Sequence, residues 1–129
     1  MELLTIEKTK SSPCVRFDPA TRVLDMRGES YPANATKFYE PIMNWLAELL
    51  GRDSDQEVVL NMEILYFNSS SSKVFMNMFD MLDEAAEEGR RITINWRYHE
   101  ENEIAQECGE EFMEDLVNLD FHLVEFGDD

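Results

Sequence analysis

The run from Val58 to Phe67 constrains the fold more than any other stretch of the chain. Val58, Leu60, Met62, Ile64 and Tyr66 alternate on one side of a period-two repeat. Val59, Leu65 and Phe67 fall on the other side, beside Asn61 and Glu63. A strand that is apolar on nearly both sides belongs in the middle of a sheet, not at its edge. The run ends at Asn68-Ser69-Ser70-Ser71-Ser72-Lys73. A helical repeat of Phe75, Met78, Phe79, Leu82 and Ala86 follows, and Gly89 is a natural stop. A buried strand therefore feeds through a serine-rich turn into a helix.

The rest of the chain supplies neighbours for that strand. Leu3–Glu7, Val15–Phe17 and Val23–Arg27 are short strand candidates, with a hairpin through Asp18–Arg22. Gly28-Glu29-Ser30-Tyr31-Pro32 breaks the pattern. Asn34 is a good helix cap, and the helix it opens runs to about Leu50 with Phe38, Ile42, Trp45 and Leu49 on its buried side. Pro41 lies inside that helix and should distort it. Ile92–Tyr98 alternates as a strand. A third helix, about Glu101 to Asn118, buries Ile104, Cys108, Phe112 and Leu116, and Phe121–Phe126 closes the order as a strand before a frayed tail, Gly127–Asp129. The order β-β-β-α-β-α-β-α-β predicts one α/β domain over residues 1–129, a mixed sheet with a parallel centre packed by three helices.

Charge narrows the partners. With 28 Asp+Glu against 11 Lys+Arg, the formal net charge is −17. Nucleic acid is not an expected partner, because binding its phosphates relies on clustered Lys and Arg. The N-terminus lacks the basic-then-apolar pattern of a signal peptide, and no apolar run approaches a membrane span. Cytoplasmic residence without membrane insertion is the expectation, and Cys14 and Cys108 read as reduced thiols. The two N-x-[ST] matches, at Asn34 and Asn68, are then chance.

Catalytic signatures are missing. His99 and His122 have no metal-spaced companions, and the acidic side of the third helix lacks the spacing of a calcium loop. The serine turn contains no Gly, so it is neither a phosphate-binding loop nor a nucleophile elbow. The residues call for no catalytic group, metal or cofactor. What remains is the turn itself. A helix start offers free N–H groups and a favourable dipole to an anion. One cap would account for one polar side chain, whereas this turn has five in succession before Lys73. A phosphorylatable switch, an anion-sensing module and a constitutive scaffold or dimerisation domain all remain open on these residues.

Three motifs narrow the choice: Arg27-Gly28-Glu29-Ser30-Tyr31-Pro32, Tyr66-Phe67-Asn68-Ser69-Ser70-Ser71 with Lys73, and Trp96-Arg97-Tyr98. Over nearly the whole chain the sequence resembles the SiaC family of biofilm-regulating phosphoproteins, relatives of STAS domains and of SpoIIAA-type anti-sigma-factor antagonists. The resemblance implies a non-catalytic partner-switching regulator, modified by a dedicated serine/threonine kinase and restored by a PP2C-type phosphatase. Its unphosphorylated form would bind and activate a diguanylate cyclase, and so set cyclic di-GMP output. The acceptor implied is the hydroxyl directly after the Asn, here Ser69, where the family's best-known member has Thr. Ser70 is the weaker candidate, by analogy with the D-S-S-G turn of the SpoIIAA type. Asn68, Ser70 and Ser71 would shape the turn, Lys73 would contact phosphate or partner, and Tyr31 and Pro32 would share its rim.

Overall fold

A computed structural model describes residues 1–128. The elements are β1 (Leu4–Ile6), β2 (Cys14–Phe17), β3 (Val23–Ser30), α1 (Ala35–Leu50), β4 (Val58–Phe67), α2 (Ser69–Glu87), β5 (Ile92–His99), α3 (Glu103–Glu114) and β6 (Asp120–Phe126). The six strands form one sheet in sequence order, β1 to β6. β1, β2 and β3 pair antiparallel, and β3 to β6 run parallel. This is the mixed α/β sheet with a parallel centre that the element order predicts.

Each parallel connection joins adjacent strands in the same direction, so right-handed crossovers place all three helices on one side of the sheet. The core lies there: Leu24 and Met26, then Val58, Leu60, Met62 and Ile64, then Ile92, Ile94 and Trp96 meet Ile42, Leu46, Phe75, Phe79 and Phe112. The other side of the sheet carries a polar row in register, Arg16, Asp25, Asn61, Asn95 and His122. Within it the Asn95 amide donates to Asn61 at 2.9 Å, and the Asn61 amide donates to Asp25 at 3.0 Å. Asn61 and Glu63, which look out of place in a central strand, face this open side, where Glu63 pairs with Arg97 at 2.9 Å.

Several sequence expectations need correcting. β3 does not stop at Arg27 but continues through Gly28-Glu29-Ser30. The β3–β4 register slips at that point: Gly28 pairs with Ile64, and Glu29 with Tyr66. Gly28 absorbs the irregularity at φ 130°, a conformation that side-chain-bearing residues avoid. Leu65 is the extra residue, so the alternation of β4 shifts by one. Phe67 turns onto the core, edge-on to Phe75 and Trp96, while Tyr66, expected among the buried residues, is 54% exposed.

The helix stripes are also rotated. α1 buries Ala35, Tyr39, Ile42, Leu46 and Leu49, and Phe38 and Trp45 flank this stripe half-buried. Trp45 packs on Phe17 and donates its indole N–H to the carbonyl of Glu2 at 2.9 Å. Pro41 sits inside the single helix 35–50 on its exposed side, where solvent can satisfy the carbonyl of Lys37. α3 is shorter than expected and buries Ala105, Gly109 and Phe112, leaving Ile104 74% exposed and Cys108 only half-buried. Leu116 is buried, but beyond the helix end. Close approach decides this orientation. Trp96 donates its indole N–H to the carbonyl of Ala105 at 2.9 Å, and a Cβ on Gly109 would lie 2.6 Å from Trp96 and Leu123. The expected Gly89 stop closes α2 at φ 106°, with its N–H on Ala86 and that of Arg90 on Ala85. Of the expected frayed tail, Asp128 bonds His99 at 2.7 Å, and Asp129 lies outside the described residues.

Candidate functional site

β4 delivers the serine turn at the C-terminal edge of the sheet. Asn68 caps α2: its side-chain oxygen accepts the Ser71 N–H at 3.0 Å, and its carbonyl accepts the Ser72 N–H at 3.0 Å. The Asn68 N–H in turn donates to the carbonyl of Ser30 at 3.1 Å, which ties the turn to the end of β3. Ser69 and Ser70 occupy the first two helical positions, and both are exposed. Their N–H groups precede the first intrahelical bond and face solvent beside their own hydroxyls. No acidic residue occupies this first turn, in a chain with 28 of them. An added phosphate therefore meets donors and the positive end of the helix dipole, with Lys73 one turn further along.

The four serines are not equivalent. Ser71 is fully buried, and its hydroxyl lies 2.7 Å from that of Ser30, which lies 2.6 Å from the Tyr39 hydroxyl. This chain of three hydroxyls joins α2, β3 and α1 beneath the turn. Burial pushes the Tyr39 phenol up to about 12, although its bond to Ser30 acts in the opposite direction. Ser71 is thus a structural residue of the turn, out of reach of a modifying enzyme. Ser69, Ser70 and Lys73 form the accessible part.

Tyr31 and Pro32 lie at this rim, directly after the Ser30 that carries the turn. The Tyr31 ring packs edge-on against Tyr66 at 5.6 Å, and Leu65 beside it is 51% exposed. The sequence placed Tyr66 in the core, so the bulge adds an aromatic to the rim that alternation alone did not indicate. Ser30 and Tyr39 were also missed as supports. Ser30 stands inside the Arg27–Pro32 motif and continues the buried alternation of Leu24, Met26 and Gly28, so its hydroxyl points under the turn once β3 extends past Arg27.

Elsewhere the chemistry is sparse. The His99 imidazole bonds Asp128 at the end of β5, and this bond raises its pKa. His122 is exposed on the open side of the sheet. No group of three or more His, Cys, Asp or Glu side chains is arranged to hold a metal ion among the described residues. No helix among them is long and apolar enough to cross a membrane.

Comparison with known proteins agrees with this architecture. An uncharacterised protein of Pseudomonas aeruginosa strain UCBPP-PA14 is 36% identical over 115 residues, spanning 89% of this chain and 90% of that protein. The structure of SiaC of Pseudomonas aeruginosa superposes with a TM-score of 0.89 at 32% identity, covering 98% of this chain and all of that one. A chain in the crystal structure of diguanylate cyclase SiaD in complex with its activator SiaC, from the same organism, superposes with a TM-score of 0.89 at 33% identity, over 95% of this chain and 99% of that one. The model of the SiaC family of regulatory phosphoproteins matches residues 6–126, and the chain belongs to that family.

Proposed function

We propose that this protein is a non-catalytic, single-domain cytoplasmic regulator whose unphosphorylated form binds and activates a diguanylate cyclase. Phosphorylation of Ser69 by a cognate serine/threonine kinase releases the cyclase, and a PP2C-type phosphatase restores binding. One observation carries the reading: Ser69 is an exposed hydroxyl on the first residue of an acid-free helix start, while Ser71 is committed to the fold. The likeness to SiaC, the activator of SiaD in the solved complex, supports the partner class.

The mechanism is electrostatic. A phosphate adds roughly −1.5 to −2 charges at neutral pH. At this helix start it is stabilised locally, so the fold persists while the surface offered to the partner gains negative charge. Intact-mass and site mapping after incubation with kinase and ATP is expected to give one phosphate, on Ser69. Modification elsewhere with Ser69 untouched overturns the assignment. Ser69→Ala is expected to keep cyclase binding and Ser69→Asp to weaken it, and equal binding by the two removes the charge mechanism.

A further inference from the structure

Four arginines, Arg22, Arg52, Arg90 and Arg91, gather at the edge of the sheet opposite the serine turn, in a chain of net charge −17. Arg22 directly precedes β3, Arg90 and Arg91 precede β5, and Arg52 stands just after α1. Neutral acceptors orient three of them. The Arg90 Nη1 donates to the carbonyls of Leu50 and Arg52 at 3.1 and 3.0 Å. Arg91 donates twice to the Asp55 carbonyl, and the Arg22 Nε donates to the Gln56 side chain at 2.9 Å. Nearby carboxylates are engaged elsewhere: Glu48 pairs with Arg52 at 3.2 Å, and Glu57 accepts the Thr93 hydroxyl at 2.8 Å. Among the described residues no carboxylate pairs with Arg22, Arg90 or Arg91.

The bonds already made leave one particular edge free. Arg90 Nε and Nη2, with Arg22 Nη1, are shut off from solvent and have no acceptor among the described residues. Nε and Nη2 form the side of a guanidinium that holds two oxygens of one oxyanion at once. Burial and the neighbouring Arg22 charge pull the Arg90 pKa down, with Asp53 acting the other way. Water gives such N–H groups acceptors but leaves two like charges side by side. An oxyanion answers both needs. The backbone also holds Arg22 where a side chain is disfavoured, at φ 61°, the one positive value outside glycine among the described residues. Its N–H donates to the Asp18 carbonyl and its own carbonyl accepts from Val59, which clamps it there. A hollow of about 250 Å³ beside it is lined by Met1, Pro19, Ala20, Leu49 and Arg52.

We propose that Arg22 and Arg90 form a binding site for the phosphate group of a small molecule. The free edge of Arg90 takes two phosphate oxygens, Arg22 Nη1 makes a further contact, and the rest of the ligand occupies the hollow beside Arg52. Entry needs only a turn of the Arg22 side chain, whose one hydrogen bond is to Gln56. A phosphate suits the site better than a carboxylate because its charge of nearly two matches two guanidiniums. The site stands apart from the serine turn and does not depend on the switch.

The test uses the full chain and inorganic phosphate as the probe, against chloride and acetate at equal ionic strength. At about ten times its Kd, phosphate is expected to raise the melting temperature by about 4–6 °C over chloride. The Arg90 Nε–H signal in nitrogen-edited NMR should shift in the same titration. Phenyl phosphate, whose ring can enter the hollow, should bind at least as tightly. Arg22→Asn leaves every backbone bond of the hairpin in place, and Arg90→Lys keeps the charge without the fork. Both are expected to lose phosphate affinity at least about tenfold, whereas Arg16→Gln, exposed on the open side of the sheet, should bind as the wild type does. No shift at Arg90 in the wild type overturns the proposal, and so does unchanged affinity in both variants. Acetate matching phosphate also overturns it, as does binding of inorganic phosphate without phenyl phosphate. If phosphate acts only on Asp53→Asn, the carboxylate of that loop already fills the pair and the proposal falls.

Discussion

The Ser30 hydroxyl has two hydroxyl neighbours, those of Tyr39 and Ser71, and all three residues are buried. Removing it leaves two buried groups short of a partner, which costs more than an average hydrogen bond returns. Ser30→Ala is expected to lose about 1–3 kcal/mol in urea unfolding. Asn68→Ala, which removes the cap, should lose about 1 kcal/mol. Tyr39 adds a pH signature. Its pKa is raised from 10.0 to about 12 in the folded state, so its contribution to stability is complete below 10 and is lost as pH rises through 12. Spectrophotometric titration of tyrosinate should show one late tyrosine. Tyr39→Phe should remove that step and flatten the alkaline fall in stability, and an unchanged profile would mean the phenol is not the group responsible.

α3 illustrates what periodicity can and cannot reveal. Ile104, Cys108 and Phe112 recur at helical spacing, yet the helix turns Ala105 and Gly109 toward the sheet because Trp96 fills the space between them. Hydrophobicity alone cannot rank a small residue above Ile for the buried position, since the deciding quantity is the distance of closest approach. Gly109→Ala tests this. Alanine is the better helix former by about 1 kcal/mol, but its Cβ would lie 2.6 Å from a rigid indole. A net loss of about 1–3 kcal/mol in chemical denaturation is expected, and a gain would show that the helix can move aside. The same limit explains β4. All six strands, the three helices and the Asn34 cap were legible from alternation, spacing and capping chemistry, whereas the cap of α2 falls on Asn68, which the serine run alone did not single out. The bulge in β4 opposite Gly28 was not legible, because it depends on the partner strand, and with it went the exposure of Tyr66. The burial of Ser30 was missed because β3 was ended at Arg27, although its alternation runs on through Gly28 to Ser30.

Across the whole molecule the charge is divided unevenly. The second half of α2 and α3 carry Asp80, Asp83, Glu84, Glu87, Glu107, Glu110, Glu111 and Glu114 with no basic residue among them. The lysines stand elsewhere: Lys8 and Lys10 on the loop bonded to Tyr31, Lys37 on α1 and Lys73 on α2. Repulsion on the acidic side opposes compaction and is screened by salt. The melting temperature is therefore expected to rise as ionic strength increases from a few millimolar to about 0.15 M, and a flat response would show that those carboxylates are already neutralised. The strand order has a further consequence. In open parallel sheets, the crevice that encloses a nucleotide forms where neighbouring crossovers part to opposite sides. Here the order never reverses, and the three crossovers stay together. Adjacent loops at the C-terminal edge are therefore not drawn apart to opposite sides of the sheet. A sheet wound this way communicates through what it displays along its rim and seams, and a change of one group there is read by whatever rests against it.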